Sequence, residues 1–102
     1  MKETIFTGAA VALVTPFNPD MSVNYEELET LIEFQITSGT DAIVTCGTTG
    51  EAATLTDEEH VKVIEFTVNK VAGRVPVIAG TGSNDTAYAV ELSQKAEALG
   101  AN

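Results

Sequence analysis

The residue types best suited to chemistry in this chain stand together in Cys46-Gly47-Thr48-Thr49-Gly50-Glu51. Two adjacent hydroxyls lie between two glycines, after an apolar run at residues 41–45 and before a helix start at Thr56. Threonine hydroxyls donate and accept hydrogen bonds, and glycine lets a small anion approach main-chain amides. The pattern indicates a small-ligand loop. An ordinary strand-to-helix turn made of the same residue types is the alternative.

The other reactive side chains do not complete a catalytic group with this loop. Cys46 has no neighbouring histidine to activate its thiol, so we expect a small buried side chain. His60 falls one residue off the apolar stripe of the second predicted helix, which favours a surface or interface histidine. No lysine or arginine follows a predicted strand, so these residues include no lysine placed to form a Schiff base.

Nucleotide and metal motifs are incomplete. Gly80-Thr81-Gly82 lacks the third glycine of a dinucleotide fingerprint, because Asp85 occupies that place, and no Lys-Ser/Thr pair follows Gly47 as in a Walker loop. With one cysteine and one histidine in the chain, we expect no metal site.

Composition excludes several classes of function. The 102 residues include 15 acidic and 5 basic side chains, for a net charge of −10. Such a surface repels nucleic acids and anionic membranes. The chain shows neither a membrane-length apolar run nor a basic-then-apolar leader, and its single cysteine fits a reducing compartment. We therefore expect a cytoplasmic protein.

Apolar periodicity predicts three successive βα units. The strands are expected at residues 8–14, 42–45 and 75–79, and the helices at 24–37, from Thr56 to Gly73, and at 84–99. Asn24 with Glu27, and Thr56 with Glu59, have the spacing of capping boxes. The predicted buried stripe of the second helix consists of Val61, Ile64, Val68 and Val71.

Three parallel strands with helical crossovers fit an α/β fold, either a doubly wound sheet or a (β/α)₈ barrel. Small residues cluster in the strands, which favours the barrel, and the strand ends would then meet at one face. Three strands alone would leave two apolar edges unpaired. We therefore expect residues 1–102 to form the N-terminal part, about three of eight units, of a single barrel domain.

Three motifs, in this order and spacing, are those of a known family: residues 12–17 (ALVTPF), 46–55 (CGTTGEAATL) and 76–82 (PVIAGTG). Over essentially its whole length the chain resembles the N-terminal third of the dihydrodipicolinate synthase family, in the pyruvate-dependent class I aldolase superfamily. The related N-acetylneuraminate lyases usually have Gly-Ser-Thr-Gly-Glu where this chain has Gly47-Thr48-Thr49-Gly50-Glu51.

The resemblance implies a (β/α)₈ barrel, usually a homotetramer built as a dimer of dimers. It would condense pyruvate with aspartate 4-semialdehyde in lysine biosynthesis, through a Schiff base on a lysine outside these residues and without a cofactor. Thr48 matches a threonine that links two tyrosines in a proton relay, one from the neighbouring subunit. Thr49 matches the residue that holds the pyruvate carboxylate, flanked by Gly47 and Gly50. The 102-residue chain alone is expected to be inactive.

Some members of the family are inhibited by lysine at a subunit interface. Ala53, His60 and Asn84 match positions of that site. Tyr88 stands where lysine-sensitive members carry a glutamate, and Asp57 replaces a histidine. Because the ammonium group of a bound lysine would lack that glutamate as its charge partner, the resemblance implies weak inhibition by lysine.

Two alternatives remain open. A related aldolase acting on N-acetylneuraminate or a keto-sugar acid would share the barrel and the pyruvate site. An inactive barrel fragment could instead act only as a folding or assembly module, whose exposed edges bind a complementary piece.

Overall fold

The computed structural model describes residues 2–102. It contains three βα units in the predicted order. The elements are the strands β1 (Ala10–Ala12), β2 (Ala42–Thr45) and β3 (Val77–Ala79), and the helices α1 (Tyr25–Thr37), α2 (Asp57–Val71) and α3 (Thr86–Leu99), with a 3₁₀ turn at Ala52–Thr54. β2 has its predicted bounds, whereas β1 and β3 are shorter than predicted. Apolar sequence runs on past both strands, but pairing with the four-residue β2 limits their length.

The sheet is parallel with strand order β1-β2-β3, as predicted. Register partners in neighbouring parallel strands share a face, and Val11, Ile43 and Val77 form one such row against the helices. Ile43 and Val77 are 0% and 2% exposed. The adjacent row, Ala12–Val44–Ile78, lies on the opposite face, where Ala12 and Ile78 are exposed. Within residues 2–102 the helices therefore cover one face of the sheet only.

Helix α1 begins as predicted, but without a capping box. The Asn24 side chain accepts from the Glu27 N–H at 2.9 Å. A capping box also needs the Glu27 carboxylate to accept from the Asn24 N–H, and that N–H donates instead to the Pro16 carbonyl at 2.8 Å. The Asn24 N–H is therefore used by the turn that leads into α1 and does not make the hydrogen bond to Glu27 that the sequence pattern predicted.

Helix α2 begins with a complete capping box between Thr56 and Glu59. Its buried face differs from the predicted stripe, in which Ile64 and Val71 are buried but Val61 and Val68 are only half-buried. The buried residues are His60, Val63, Ile64, Thr67 and Val71. Thr67 is fully buried because its hydroxyl donates to the Val63 carbonyl (2.8 Å) and pairs with the Thr45 hydroxyl (3.2 Å). A stripe traced through apolar residues alone misses such a position.

Helix α3 begins at Thr86, two residues after the predicted start at residue 84, and Asp85 caps it. The Asp85 carboxylate accepts from the Tyr88 N–H at 3.3 Å. Leu92 and Ala96 are its buried residues, and the helix packs against α2. Within residues 2–102, no helix combines the length and apolarity needed to cross a bilayer.

Candidate active site

The three loops that follow the strands meet at the carboxyl edge of the sheet, as the parallel topology predicts. Thr15, just beyond β1, donates its hydroxyl to the Gly50 carbonyl at 2.7 Å. Gly80, just beyond β3, donates its N–H to the Thr45 carbonyl at 2.8 Å. The loop of residues 46–51 is therefore held between its two neighbours.

Backbone conformation gives this loop its shape. Cys46 and Glu51, at its two ends, have φ angles of 56° and 59°. This left-handed region is uncommon for residues other than glycine and is typical of functional loops. Between them, the Glu51 N–H donates to the Thr48 carbonyl at 3.0 Å and closes a turn. Thr48 and Thr49 are exposed at its tip. Across residues 2–102 neither hydroxyl makes a hydrogen bond, so both are free to bind a ligand.

Gly80 brings the second and third loops into direct contact. A Cβ atom at this position would lie 2.1 Å from the Cys46 carbonyl oxygen and 2.9 Å from the Gly47 nitrogen. Only glycine permits that approach without moving the backbone. The sequence marked Gly80 as part of a polar loop, and the structure gives the packing reason for it.

One cleft of about 610 Å³ contains most of the predicted site residues. It is lined by Gly47, Thr48, Ala53, His60, Asn84 and Tyr88, together with Asp57 and Glu51. The loop threonine and all four positions matched to the effector site therefore lie on one cavity. Thr49 is exposed but does not line this cleft, and Gly50 is buried against Leu13 and Thr15 on the other side of the loop.

His60 is buried within this chain, so the surface position is wrong, whereas the alternative of an interface histidine stays a prediction. It is 6% exposed, and its Nε2–H donates to the Gly80 carbonyl at 2.7 Å. That bond places a polar ring on the inner face of α2, which apolar periodicity cannot reveal. His60 thus links α2 to the loop after β3, while its ring contributes to the cleft.

Tyr88 reaches across from α3 to α2. Its hydroxyl donates to Asp57 Oδ1 at 2.8 Å, and this hydrogen bond to a carboxylate raises the pKa of Tyr88. Asp57 is the first residue of α2, where a negative charge is favoured by the helix dipole. The resemblance placed Asp57 at a histidine position of the effector site and did not predict this contact.

Cys46 is a buried side chain, as predicted. It is 2% exposed, and burial raises the pKa of its thiol to about 11. Its Sγ–H donates to the His60 carbonyl at 3.7 Å. A neutral thiol without a base is a poor nucleophile, so Cys46 packs the loop and does not react.

The basic side chains lie away from the carboxyl edge of the sheet, as predicted. Lys70 and Arg74, on and after α2, pair with Glu29 and Glu33 of α1, and Lys95 pairs with Glu91 within α3. Lys62, also on α2, stacks over the Tyr25 ring at 5.0 Å. Residues 2–102 therefore offer no lysine nucleophile at the strand ends. The same residues contain no group of three His, Cys, Asp or Glu side chains that could hold a metal ion.

Comparison with known proteins identifies this arrangement. Residues 5–102 match the model of the dihydrodipicolinate synthetase family. The chain belongs to this family. The 4-hydroxy-tetrahydrodipicolinate synthase of Acetivibrio thermocellus is 63% identical over 102 residues, which are 100% of this chain and 35% of that protein. The chain thus spans about a third of the length of the family members it matches.

Solved structures of the family have the same fold. The dihydrodipicolinate synthase from Aquifex aeolicus matches with a TM-score of 0.91 and 58% identity, over 94% of this chain and 32% of that one. The enzyme from Acinetobacter baumannii, complexed with pyruvate, matches with a TM-score of 0.92 and 49% identity, over 96% and 33%. The predicted fold class, a (β/α)₈ barrel represented by its first units, is therefore confirmed, and the doubly wound alternative is wrong.

Proposed function

We propose that this chain supplies the N-terminal part of a 4-hydroxy-tetrahydrodipicolinate synthase, a lyase of lysine biosynthesis that condenses pyruvate with aspartate 4-semialdehyde. The observation that carries the proposal is the loop of residues 46–51. Its two free hydroxyls stand at the carboxyl edge of a parallel sheet, where barrel enzymes bind their substrates. Identity of 63% to a synthase of that name supports it.

In this proposal Thr48 is a catalytic residue that relays a proton between two tyrosines outside these residues. A hydroxyl suits the task because it can accept one proton while it donates another. Thr49 holds the pyruvate carboxylate, and Gly47 and Gly50, on either side of the two threonines, complete the proposed substrate-binding loop. The exposure of both hydroxyls and their position in a loop fixed at each end support these roles.

Pyruvate is activated by a Schiff base rather than by a cofactor. The amine of a lysine attacks the pyruvate carbonyl and water leaves, and the resulting iminium withdraws electrons so that the methyl group loses a proton and an enamine forms. The enamine carbon then attacks the aldehyde carbon of aspartate 4-semialdehyde. The lysines of residues 2–102 lie outside the strand ends, so the nucleophile belongs to another part of the protein. For the same reason, we propose that the 102-residue chain alone is inactive.

The cleft beside the loop is the proposed effector site, formed by Ala53, His60, Asn84 and Tyr88. Lysine is expected to bind weakly there. Tyr88 supplies a neutral hydroxyl where lysine-sensitive members have a carboxylate, and that hydroxyl already engages Asp57. The ammonium group of a bound lysine would therefore find the Asp57 carboxylate, which already accepts a hydrogen bond from Tyr88, and no second, unoccupied carboxylate at position 88.

The proposed assembly is a homotetramer, in which a neighbouring subunit supplies one tyrosine of the relay.

The proposal that aspartate 4-semialdehyde is the second substrate rests on Thr48, where the sugar-acid lyases of the superfamily usually carry serine. A keto-sugar-acid aldolase remains the competing activity.

The test is reductive trapping on the full-length protein that contains this chain. Incubation with pyruvate and borohydride should add a reduced pyruvate to one lysine beyond Asn102, located by peptide mass spectrometry. Borohydride without pyruvate is the control. No adduct would contradict the aldolase chemistry. An adduct followed by condensation with an N-acetylated sugar aldehyde, but not with aspartate 4-semialdehyde, would support the competing activity.

A further inference from the structure

The Thr15 side chain connects the first βα unit to the threonine loop of the second. It is 4% exposed, and its hydroxyl donates to the Gly50 carbonyl at 2.7 Å across 35 residues of sequence. Gly50 is itself buried, so water cannot readily replace this donor. In the sequence, Thr15 is distinguished only as part of the motif at residues 12–17.

This hydrogen bond anchors the Gly50 end of the loop to a residue outside it. Among residues 2–102, the other hydrogen bonds to the peptide groups of residues 47–50 come from Glu51 and Ala52, which are continuous with the loop. Those two bonds, at 3.0 and 3.4 Å, close the turn but do not fix its position relative to the sheet. Contact with Gly80 limits how far Gly47 can move, at the opposite end from Gly50.

We propose that Thr15 is a positioning residue that sets the orientation of Thr49 and Thr48 toward pyruvate. That these two threonines face pyruvate rests on the proposed function. The Gly50 carbonyl shares a peptide group with the Glu51 N–H, which donates to the Thr48 carbonyl, so a rotation of that peptide displaces the two threonines that it closes into a turn. Serine at position 15 keeps the donor, whereas valine has the shape of threonine and no hydroxyl.

The experiment uses the full-length protein and two substitutions, Thr15→Val and Thr15→Ser. Thr67→Val is the matched control, since Thr67 is also a buried threonine with a hydrogen-bonded hydroxyl, but its partners, Val63 and Thr45, lie outside residues 46–51. We expect Thr15→Val to raise the KM for pyruvate at least about tenfold, because small displacements of binding groups are costly. Thr15→Ser and Thr67→Val should stay within about twofold of the parent.

Amide hydrogen exchange gives a readout that does not depend on activity. In Thr15→Val the Glu51 N–H, which closes the turn, should exchange at least about tenfold faster than in Thr67→Val. If Thr15→Val does not fold, Thr15→Ala takes its place. The inference is overturned if the KM for pyruvate is unchanged in Thr15→Val, or in Thr15→Ala where that variant replaces it. It is also overturned if Thr67→Val raises this KM by the same factor. Failure of the parent protein to trap pyruvate contradicts the proposed function instead, and exchange at Glu51 then decides the role of Thr15.

Discussion

At the scale of single residues, the spacing between the second and third loops depends on the missing side chain of Gly80. Gly80→Ala would place a methyl group 2.1 Å from the Cys46 carbonyl oxygen, so the two loops must separate. We expect a loss of about 2 kcal/mol or more in the free energy of unfolding, measured in urea. Gly82→Ala is the control, because nothing lies within 4 Å of its Cβ position, and it should change stability by less than about 0.5 kcal/mol. Equal losses would show that the close approach at Gly80 is unimportant.

The proposed lysine insensitivity can be tested at one side chain. Tyr88→Glu adds a carboxylate to the cleft beside Asp57, and it should strengthen lysine binding to the full-length protein by about tenfold or more, measured by calorimetry. Tyr88→Phe removes the hydrogen bond to Asp57 without adding charge, and should change lysine affinity by less than about threefold. If Tyr88→Phe increases lysine affinity as much as Tyr88→Glu does, then release of the Asp57 carboxylate, and not the added charge, controls lysine binding.

The residues of the candidate site were predictable to different degrees. Thr48 and Thr49 stand in a local motif, so their position after a strand could be deduced from neighbouring residues alone. The roles of Thr15 and His60 depend on carbonyl groups that lie 35 and 20 residues away in sequence. A pattern read along one element does not reveal such partners.

At the scale of elements, the two N-termini of α1 and α2 differ although their sequence patterns agree. The Glu59 carboxylate accepts from the Thr56 N–H at 2.9 Å, whereas the Asn24 N–H donates to Pro16. Glu59→Ala should therefore cost about 0.5–1 kcal/mol more in the free energy of unfolding than Glu27→Ala. Both substitutions remove one negative charge from the third position of a helix, so the dipole contribution cancels in the comparison. Equal costs would indicate that the capping hydrogen bond of Glu59 contributes nothing.

Helix bounds were predicted closely, because capping residues are local signals. Asn24 and Thr56 cap the helices that they were predicted to cap, whereas α3, for which no cap was predicted, begins two residues late, after Asp85. The strands were predicted less well, because their length is set by the partners they find in the sheet. Apolar sequence identifies a strand without fixing how many of its residues pair.

At the scale of the whole molecule, the sheet has helices on one face and an exposed apolar row on the other. Ile78 belongs to that row, and Val14 follows β1 on the same side, since residues 12 and 14 point the same way along an extended chain. At the β3 edge, Asn102 occupies both peptide groups of Val77, with its N–H donating to the carbonyl at 2.8 Å and its Oδ1 accepting from the N–H at 3.0 Å. The exposed row, more than this edge, is therefore the surface available for association.

A polypeptide of these 102 residues alone should expose that row and bind the uncharged dye Nile red. Val14→Asn should lower the dye fluorescence by a larger fraction than Val90→Asn. The two valines are about equally exposed, at 49% and 53%, but Val90 lies on α3, away from the sheet. Adding the separately made remainder of the full-length protein should suppress dye binding, because the remaining barrel strands would cover the row. Equal effects of the two substitutions would mean that the dye does not bind at this face of the sheet. Dye binding that persists after the remainder of the protein is added would mean that the remainder does not cover this face.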